Sequence, residues 1–102
     1  MEFTVEERLA TLALLPPEGS LVTMKIIHDL RQALAFSEEE LAVLQFQQNN
    51  DQLTWQNGVG LKEVEVGPQA VKVVRDLLKK LDEDEKIREA HLSLVEKFGY
   101  VG

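Results

Sequence analysis

The sequence predicts an α+β domain with a winged-helix-like order of elements. Three observations predict this class. Apolar residues recur at helical spacing in residues 5–13 and 26–34. A Ser-x-x-Glu capping box at Ser37 then opens a third helix. An alternating pattern typical of short strands follows over residues 44–55. We therefore expect three helices, a small antiparallel β-sheet with a wing, and two C-terminal helices.

The first three helices each have a start signal. Thr4 and Glu7 form a capping box at the first helix, which Pro16 ends because proline disfavours helix at the residue before it. Thr23 is the expected cap of the second helix. Ser37 and Glu40 form the box that starts the third helix.

The strands are predicted by alternation and turn residues. Residues 44–47 alternate apolar and polar side chains, residues 49–51 are turn formers, and Leu53 and Trp55 resume the alternation. Residues 62–66 are expected to add a third strand, with both of its valines facing inward. Whether Trp55 is buried stays open at this stage.

Two helices complete the chain. Pro68 suits the first position of a helix whose buried face is formed by apolar residues between 71 and 81. Residues 82–86 are acidic and predict a break. The last helix is expected to run from Ile87 and to end at Gly99.

Composition limits the class of protein. The 102 residues, 44% hydrophobic and 28% charged, predict a single globular domain, residues 1–102. Cysteine is absent, which excludes disulfides and thiolate metal sites. The acidic N-terminal segment does not resemble a secretion signal, and no apolar run approaches the ~20 residues of a membrane helix. A cytoplasmic location is expected.

The charge is unevenly distributed along the chain. Residues 1–58, the helix-helix-helix-wing portion, carry nine acidic and three basic residues, a net charge of −6. Residues 59–102, the third strand and the two packing helices, carry nine acidic and eight basic residues. Such a distribution favours basic partners and disfavours nucleic acid.

Three carboxylates at the start of the third helix and one at the wing form the predicted partner-binding site: Glu38, Glu39, Glu40 and Asp51. Acidic residues in a first turn also complement the helix dipole, so a purely structural role is the alternative. Three cations on the fourth helix form an alternative nucleic-acid face: Lys72, Arg75 and Lys79. Asp76 is expected to pair with neighbouring lysines and so to neutralise part of that face.

The residues predict no catalytic centre, cofactor or metal site. Gly58 and Gly60 lack the lysine and the helix start of a phosphate loop. His91 lies on the apolar face of the last helix and is expected to be a hydrogen-bonded core or boundary residue, with a ligand or base role as the alternative. His28 and Asp29 point apart on their helix and form no dyad.

The chain also resembles small proteins of about 100 residues encoded by bacteriophages and prophages. Residues 7–9, 14–19, 25–30, 36–40 and 89–98 carry this resemblance. It implies an origin and not an activity, namely a viral protein that acts in a bacterial cytoplasm or belongs to a virion. No site residue is transferred from it.

Four functions follow, in order of preference. The first is a non-enzymatic module whose acidic face binds the basic surface of another protein, with host proteins among the candidates. The second is a phage-encoded inhibitor whose carboxylates imitate nucleic-acid phosphates. The third is a DNA-binding winged helix, and the fourth a structural virion component. An enzyme ranks last, because no acid, base, nucleophile or metal constellation is present in the sequence.

Overall fold

Five helices and four short strands make up residues 1–101, the part of the chain that the structure, a computed structural model, describes. In chain order the elements are β1 (Glu2–Phe3), α1 (Val5–Leu14), α2 (Leu21–Leu34), α3 (Glu38–Leu44), β2 (Gln47–Asn49), β3 (Gln52–Thr54), β4 (Lys62–Glu63), α4 (Pro68–Glu83) and α5 (Glu89–Phe98). The fold is α+β, as the sequence predicts.

Both predicted capping boxes are present. The Glu7 N–H donates to Thr4 Oγ1 at 3.0 Å, and the Thr4 N–H donates to Glu7 Oε1 at 2.9 Å. At α3 the Glu40 N–H donates to Ser37 Oγ at 3.1 Å, and the Ser37 N–H donates to Glu40 Oε1 at 3.0 Å. Each box satisfies N–H groups that have no partner inside the helix.

The predicted start of α2 is wrong. Ser20, not Thr23, is the N-cap, and its Oγ accepts from the Thr23 N–H at 3.2 Å. Both residues can cap a helix, and the structure uses the one that adds a turn containing Leu21 and Val22. Those two side chains are largely exposed, so the apolar pattern gave no signal for the extra turn.

The strands form two separate two-stranded sheets. The third strand, expected over residues 62–66, is confined to Lys62–Glu63, and it pairs antiparallel with β1 rather than with the hairpin. Phe3 lies opposite Lys62 in this pairing. The following Val64 is buried in the core, as expected, and its N–H donates to the Met1 carbonyl at 2.8 Å.

The second sheet is the predicted hairpin. Strand β2 pairs antiparallel with β3, and Gln48 lies opposite Leu53. Asn50 turns the chain in the left-handed region at φ 57°, a conformation that asparagine tolerates better than most residues. The expected strand over residues 44–47 begins later, because Leu44 is still the last residue of α3.

The core is built from both ends of the chain. Helix α1 packs on α5, α2 packs on α4, and α4 packs on α5. Ten buried apolar residues form one cluster: Phe3, Leu15, Ile27, Leu30, Leu34, Val64, Val74, Leu78, Leu94 and Phe98. Burying each such side chain contributes roughly 1.5–3 kcal/mol. The acidic portion 1–58 and the portion 59–102 thus share this cluster.

The last two helices end in left-handed residues. Gly99 ends α5 at φ 68°, as predicted. Helix α4 runs to Glu83, further than expected, and Glu85 then adopts φ 56°. The Lys86 N–H donates to the Leu81 carbonyl at 2.8 Å, which completes a Schellman-type end.

Glu85→Gly is expected to stabilise the protein by about 0.5 kcal/mol, because glycine adopts the left-handed region without the Cβ clash that other residues suffer there. Chemical denaturation at neutral pH measures the change. Glu83→Gly, placed inside helix α4, is the matched control and should destabilise by up to about 1 kcal/mol. Equal losses in both variants would contradict the argument.

Candidate functional site

The four carboxylates of the predicted acidic face lie in different environments. Glu38 and Glu39 are exposed in the first turn of α3, and Asp51 is exposed at the tip of the hairpin. The Glu40 side chain is only 21% exposed, because it forms an ion pair with Arg8. Three of the four carboxylates are therefore open to a partner, and the fourth is engaged within the protein.

Arg8 is fully buried and holds the start of α3 against α1. Its Nη1 donates to Glu40 Oε2 at 2.7 Å and its Nη2 donates to Glu40 Oε1 at 3.1 Å. Its Nε donates to the Leu34 carbonyl at 3.2 Å, and Nη2 also donates to the Ala35 carbonyl at 2.7 Å. We call this set, Arg8 with Glu40 and the two carbonyls, the Arg8 clasp. It joins α1, the end of α2 and α3.

The clasp changes the electrostatics of Glu40. The hydrogen bond from Arg8 lowers the pKa of the Glu40 carboxyl to about 2, and the Ser37 N–H and the positive charge of Arg8 act in the same direction, while burial opposes them. Glu40 is thus a carboxylate over the whole physiological range. Its charge is balanced by a guanidinium at hydrogen-bond distance.

An aromatic row leads from the clasp to the hairpin. The Arg8 guanidinium carbon lies 3.9 Å from the centre of the Phe36 ring. The centroids of Phe36 and Phe46 are 5.4 Å apart, and those of Phe46 and Trp55 are 6.0 Å apart, both with edge-on geometry. We call Phe36, Phe46 and Trp55 the aromatic row. Each of its rings is half-buried, which answers the question about Trp55.

Exposed apolar side chains lie on α3 and on the hairpin. Leu41 and Val43 on α3 are 44% and 46% exposed, and Leu53 on β3 is 40% exposed. Leu53 lies in β3 and Trp55 one residue beyond it, so continued alternation would put the two side chains on the same face. We define the α3–hairpin surface as the aromatic row together with the exposed residues Glu38, Glu39, Leu41, Val43, Asp51 and Leu53.

The loop after the hairpin lies against this surface. Gly58 has φ 135°, and a Cβ there would come within 2.8 Å of Val43 Cγ1. Only glycine meets both conditions. This glycine marks a close approach of the loop to α3.

The alternative cationic face is partly engaged in the fold. Arg75 Nε donates to the Phe98 carbonyl at the end of α5. Lys79 pairs with Glu83 at 3.9 Å, and the predicted pairing with Asp76 is wrong, since none of the ion pairs within residues 1–101 includes Asp76. Lys72 is exposed. The three side chains therefore do not form a uniform row of free cations.

Sequence reasoning missed the role of Arg8. A signal was available: Arg8 lies three residues after Val5 and four before Leu12, so it shares the buried stripe of α1. A charged residue in such a stripe requires a partner, and Glu40 is 32 residues away in the chain.

Within residues 1–101, no group of three or more His, Asp or Glu side chains has the arrangement to hold a metal ion. None of the helices in this range has the length and apolarity that crossing a membrane requires. No protein family, no curated protein and no solved structure matches this chain.

Proposed function

We propose that the protein is a non-enzymatic interaction module that binds a basic protein segment through the α3–hairpin surface. The observation that carries this proposal is the half-buried aromatic row, which leads from Phe36 before α3 to Phe46 and Trp55 at the base of the hairpin. Exposed apolar side chains and three unpaired carboxylates lie on α3 and the hairpin. Aromatic residues in a partly desolvated setting are typical anchors of protein interfaces.

The mixture of apolar and acidic side chains on this surface favours a protein partner over a nucleic acid. Leu41, Val43 and Leu53 offer apolar contacts, which a phosphate backbone does not match. Glu38, Glu39 and Asp51 would repel phosphates but steer a basic surface into contact. Glu40 stays outside the proposed contacts, because the Arg8 clasp already neutralises it.

The winged-helix-like arrangement belongs to the same proposal. The order of three helices followed by hairpin β2–β3 supports it, and it assigns the hairpin the position of a wing beside α3. The pairing of β4 with β1 departs from a three-stranded winged sheet. The proposed binding role depends on the α3–hairpin surface and not on this assignment.

A pull-down from nuclease-treated bacterial lysate tests the proposal. The lysate is bacterial because the resemblance implies a bacteriophage origin. The test variant carries Glu38→Gln, Glu39→Gln and Asp51→Asn. The control variant changes charge equally at exposed sites elsewhere: Glu18→Gln, Glu65→Gln and Glu96→Gln. We expect the test variant to bind the retained basic protein about tenfold more weakly, and the control to bind it as the parent does.

Leu53→Ala supplies an apolar counterpart and should weaken the same binding at every salt concentration, because its contact is not electrostatic. Equal weakening by the test and control variants would show that only net charge matters and would contradict the proposed surface. Binding that occurs in an untreated lysate and is absent from the nuclease-treated one would instead indicate nucleic acid. Binding abolished by salt and insensitive to Leu53→Ala would indicate imitation of phosphates by carboxylates.

A further inference from the structure

A cavity lined by basic side chains lies apart from the acidic α3–hairpin surface. It has a volume of about 610 Å³ and lies between the end of α1, the end of α4 and the loop that leads into α5. Its apolar wall is formed by Ala13, Leu14, Leu81 and Ile87. This volume falls in the range of small-ligand sites.

The polar side of the cavity carries Lys86, Arg88 and His91. None of the ion pairs within residues 1–101 includes Lys86 or Arg88. The other three arginines are engaged in the fold: Arg8 belongs to the clasp, and Arg31 and Arg75 donate to backbone carbonyls. Two cations near a cavity thus retain their hydrogen-bonding capacity.

His91 adds a neutral donor. Its Nδ1 accepts from the Arg88 N–H at 2.9 Å, so the ring proton of the neutral imidazole is on Nε2. Burial lowers the pKa of His91, and the positive charge of Arg88 acts in the same direction. The Nε2–H group is therefore an available donor at neutral pH.

The start of helix α5 also favours a bound anion. Arg88 is the N-cap, and an arginine side chain has no acceptor for the N–H groups of the first turn. Thr4, Ser20 and Ser37 supply such an acceptor at α1, α2 and α3. The N-cap side chain therefore leaves the first-turn N–H groups of α5 uncapped, although the His91 ring accepts from the N–H of Arg88 itself and Glu89 places a carboxylate in the first turn.

The acidic residues of this segment do not cancel the site. Asp82 accepts from the Tyr100 hydroxyl at 2.8 Å, and Glu83 pairs with Lys79. Of the carboxylates in residues 82–89, only Glu85 lines the cavity. Among the lining residues, Lys86 and Arg88 therefore outweigh the one opposing charge of Glu85.

We propose that this cavity binds an organic anion, a carboxylate or phosphate monoester joined to an apolar group. Lys86, Arg88 and His91 Nε2–H would hold the anionic head, and the wall of Leu14, Leu81 and Ile87 would contact the apolar part. The site is separate from the α3–hairpin surface, and it does not depend on the function proposed for that surface.

Titration followed by amide NMR shifts tests the site on the whole chain. Phenyl phosphate and benzoate are the two anionic probes, and benzamide is the neutral control of similar shape. We expect saturable shifts at the amides of Ile87, Arg88 and His91 with an anionic probe and none with benzamide. Saturation by phenyl phosphate alone would assign the site to phosphate monoesters, and saturation by benzoate alone to carboxylates.

Three variants make the test specific. Lys86→Gln with Arg88→Gln should weaken binding about tenfold or more, since each removes a charge-assisted hydrogen bond. Lys72→Gln with Lys80→Gln, an equal change at exposed positions on α4, should leave binding unchanged. Glu85→Gln should tighten binding severalfold by removing the opposing carboxylate. Shifts that do not saturate, equal binding of benzamide, or equal loss in both double variants would overturn the proposal.

Discussion

Arg8→Met is expected to destabilise the protein by roughly 3–5 kcal/mol, the range seen when one partner of a buried ion pair is removed. Arg8 is fully buried, and methionine keeps much of the apolar stem while it removes every donor. The Leu34 and Ala35 carbonyls and the Glu40 carboxylate would lose their partner together. Total stabilities of 5–15 kcal/mol make such a loss a large fraction of the whole.

Urea denaturation followed by circular dichroism measures this change, with Lys80→Met as the matched control. Lys80 is exposed and takes part in none of the ion pairs within residues 1–101, so its replacement should cost less than about 0.5 kcal/mol. Adding Glu40→Gln to Arg8→Met completes a double-mutant cycle that isolates the ion pair from the carbonyl contacts. If Arg8→Met and Lys80→Met proved equally stable, the clasp would have no energetic role.

The elements that the sequence predicts well are those fixed by neighbouring residues. The Thr4–Glu7 and Ser37–Glu40 boxes each span four residues, and their hydrogen bonds need no information from elsewhere in the fold. The left-handed end at Gly99 is equally local. Residue type and spacing alone predict these motifs, and the structure confirms them.

The elements that the sequence does not predict depend on distant contacts. Strand β1 has two residues, too few for any alternating pattern, and its partner β4 is about sixty positions along the chain. The same pairing shortens the expected third strand and separates it from the hairpin. Hydrophobic alternation indicates which residues face inward but not which strands pair. It therefore predicts that Val64 is buried but not that β4 pairs with β1.

The acidic triplet shows the same limit within a single motif. Charge and spacing treat Glu38, Glu39 and Glu40 as equivalent, but only Glu40 faces Arg8. Its carboxylate completes the capping box and also accepts from the guanidinium. Glu40 thus has a structural role, which is the alternative that the sequence indicates for the acidic face. Glu38, Glu39 and Asp51 remain available for the proposed contact.

The clasp and the proposed binding surface are physically connected. Arg8 contacts both Glu40 and Phe36, and Phe36 packs on Phe46, which packs on Trp55. A continuous row of contacts therefore joins the hairpin to the buried ion pair at the other end of the aromatic row. A partner that binds the hairpin would meet a surface held in place before contact, which reduces the ordering cost of association.

Acidification is expected to remove the stabilisation that Glu40 provides. The pKa of Glu40 is about 2 in the folded protein, below its ordinary value of 4.5, because Arg8 hydrogen-bonds to the carboxylate. The folded state thus binds this proton less readily than the unfolded state does. The contribution is complete above pH 4.5 and is lost as the pH falls toward 2. Its size is at most on the order of 3 kcal/mol, from 1.36 kcal/mol for each pKa unit, and solvent screening of the partly exposed carboxylate reduces it.

Urea denaturation at pH 7, 4.5, 3 and 2 measures this loss against Glu40→Gln, which has no charge to titrate. Other carboxylates also titrate in this range, so the informative quantity is the difference in unfolding free energy between parent and variant. That difference should be largest above pH 4.5 and should shrink toward pH 2, because protonated Glu40 and glutamine are both neutral at that position. Glu39→Gln, exposed in the same turn, is the control and should give a small difference at every pH. Parallel curves for the parent and Glu40→Gln would mean that Arg8 does not hold the carboxylate in its charged form.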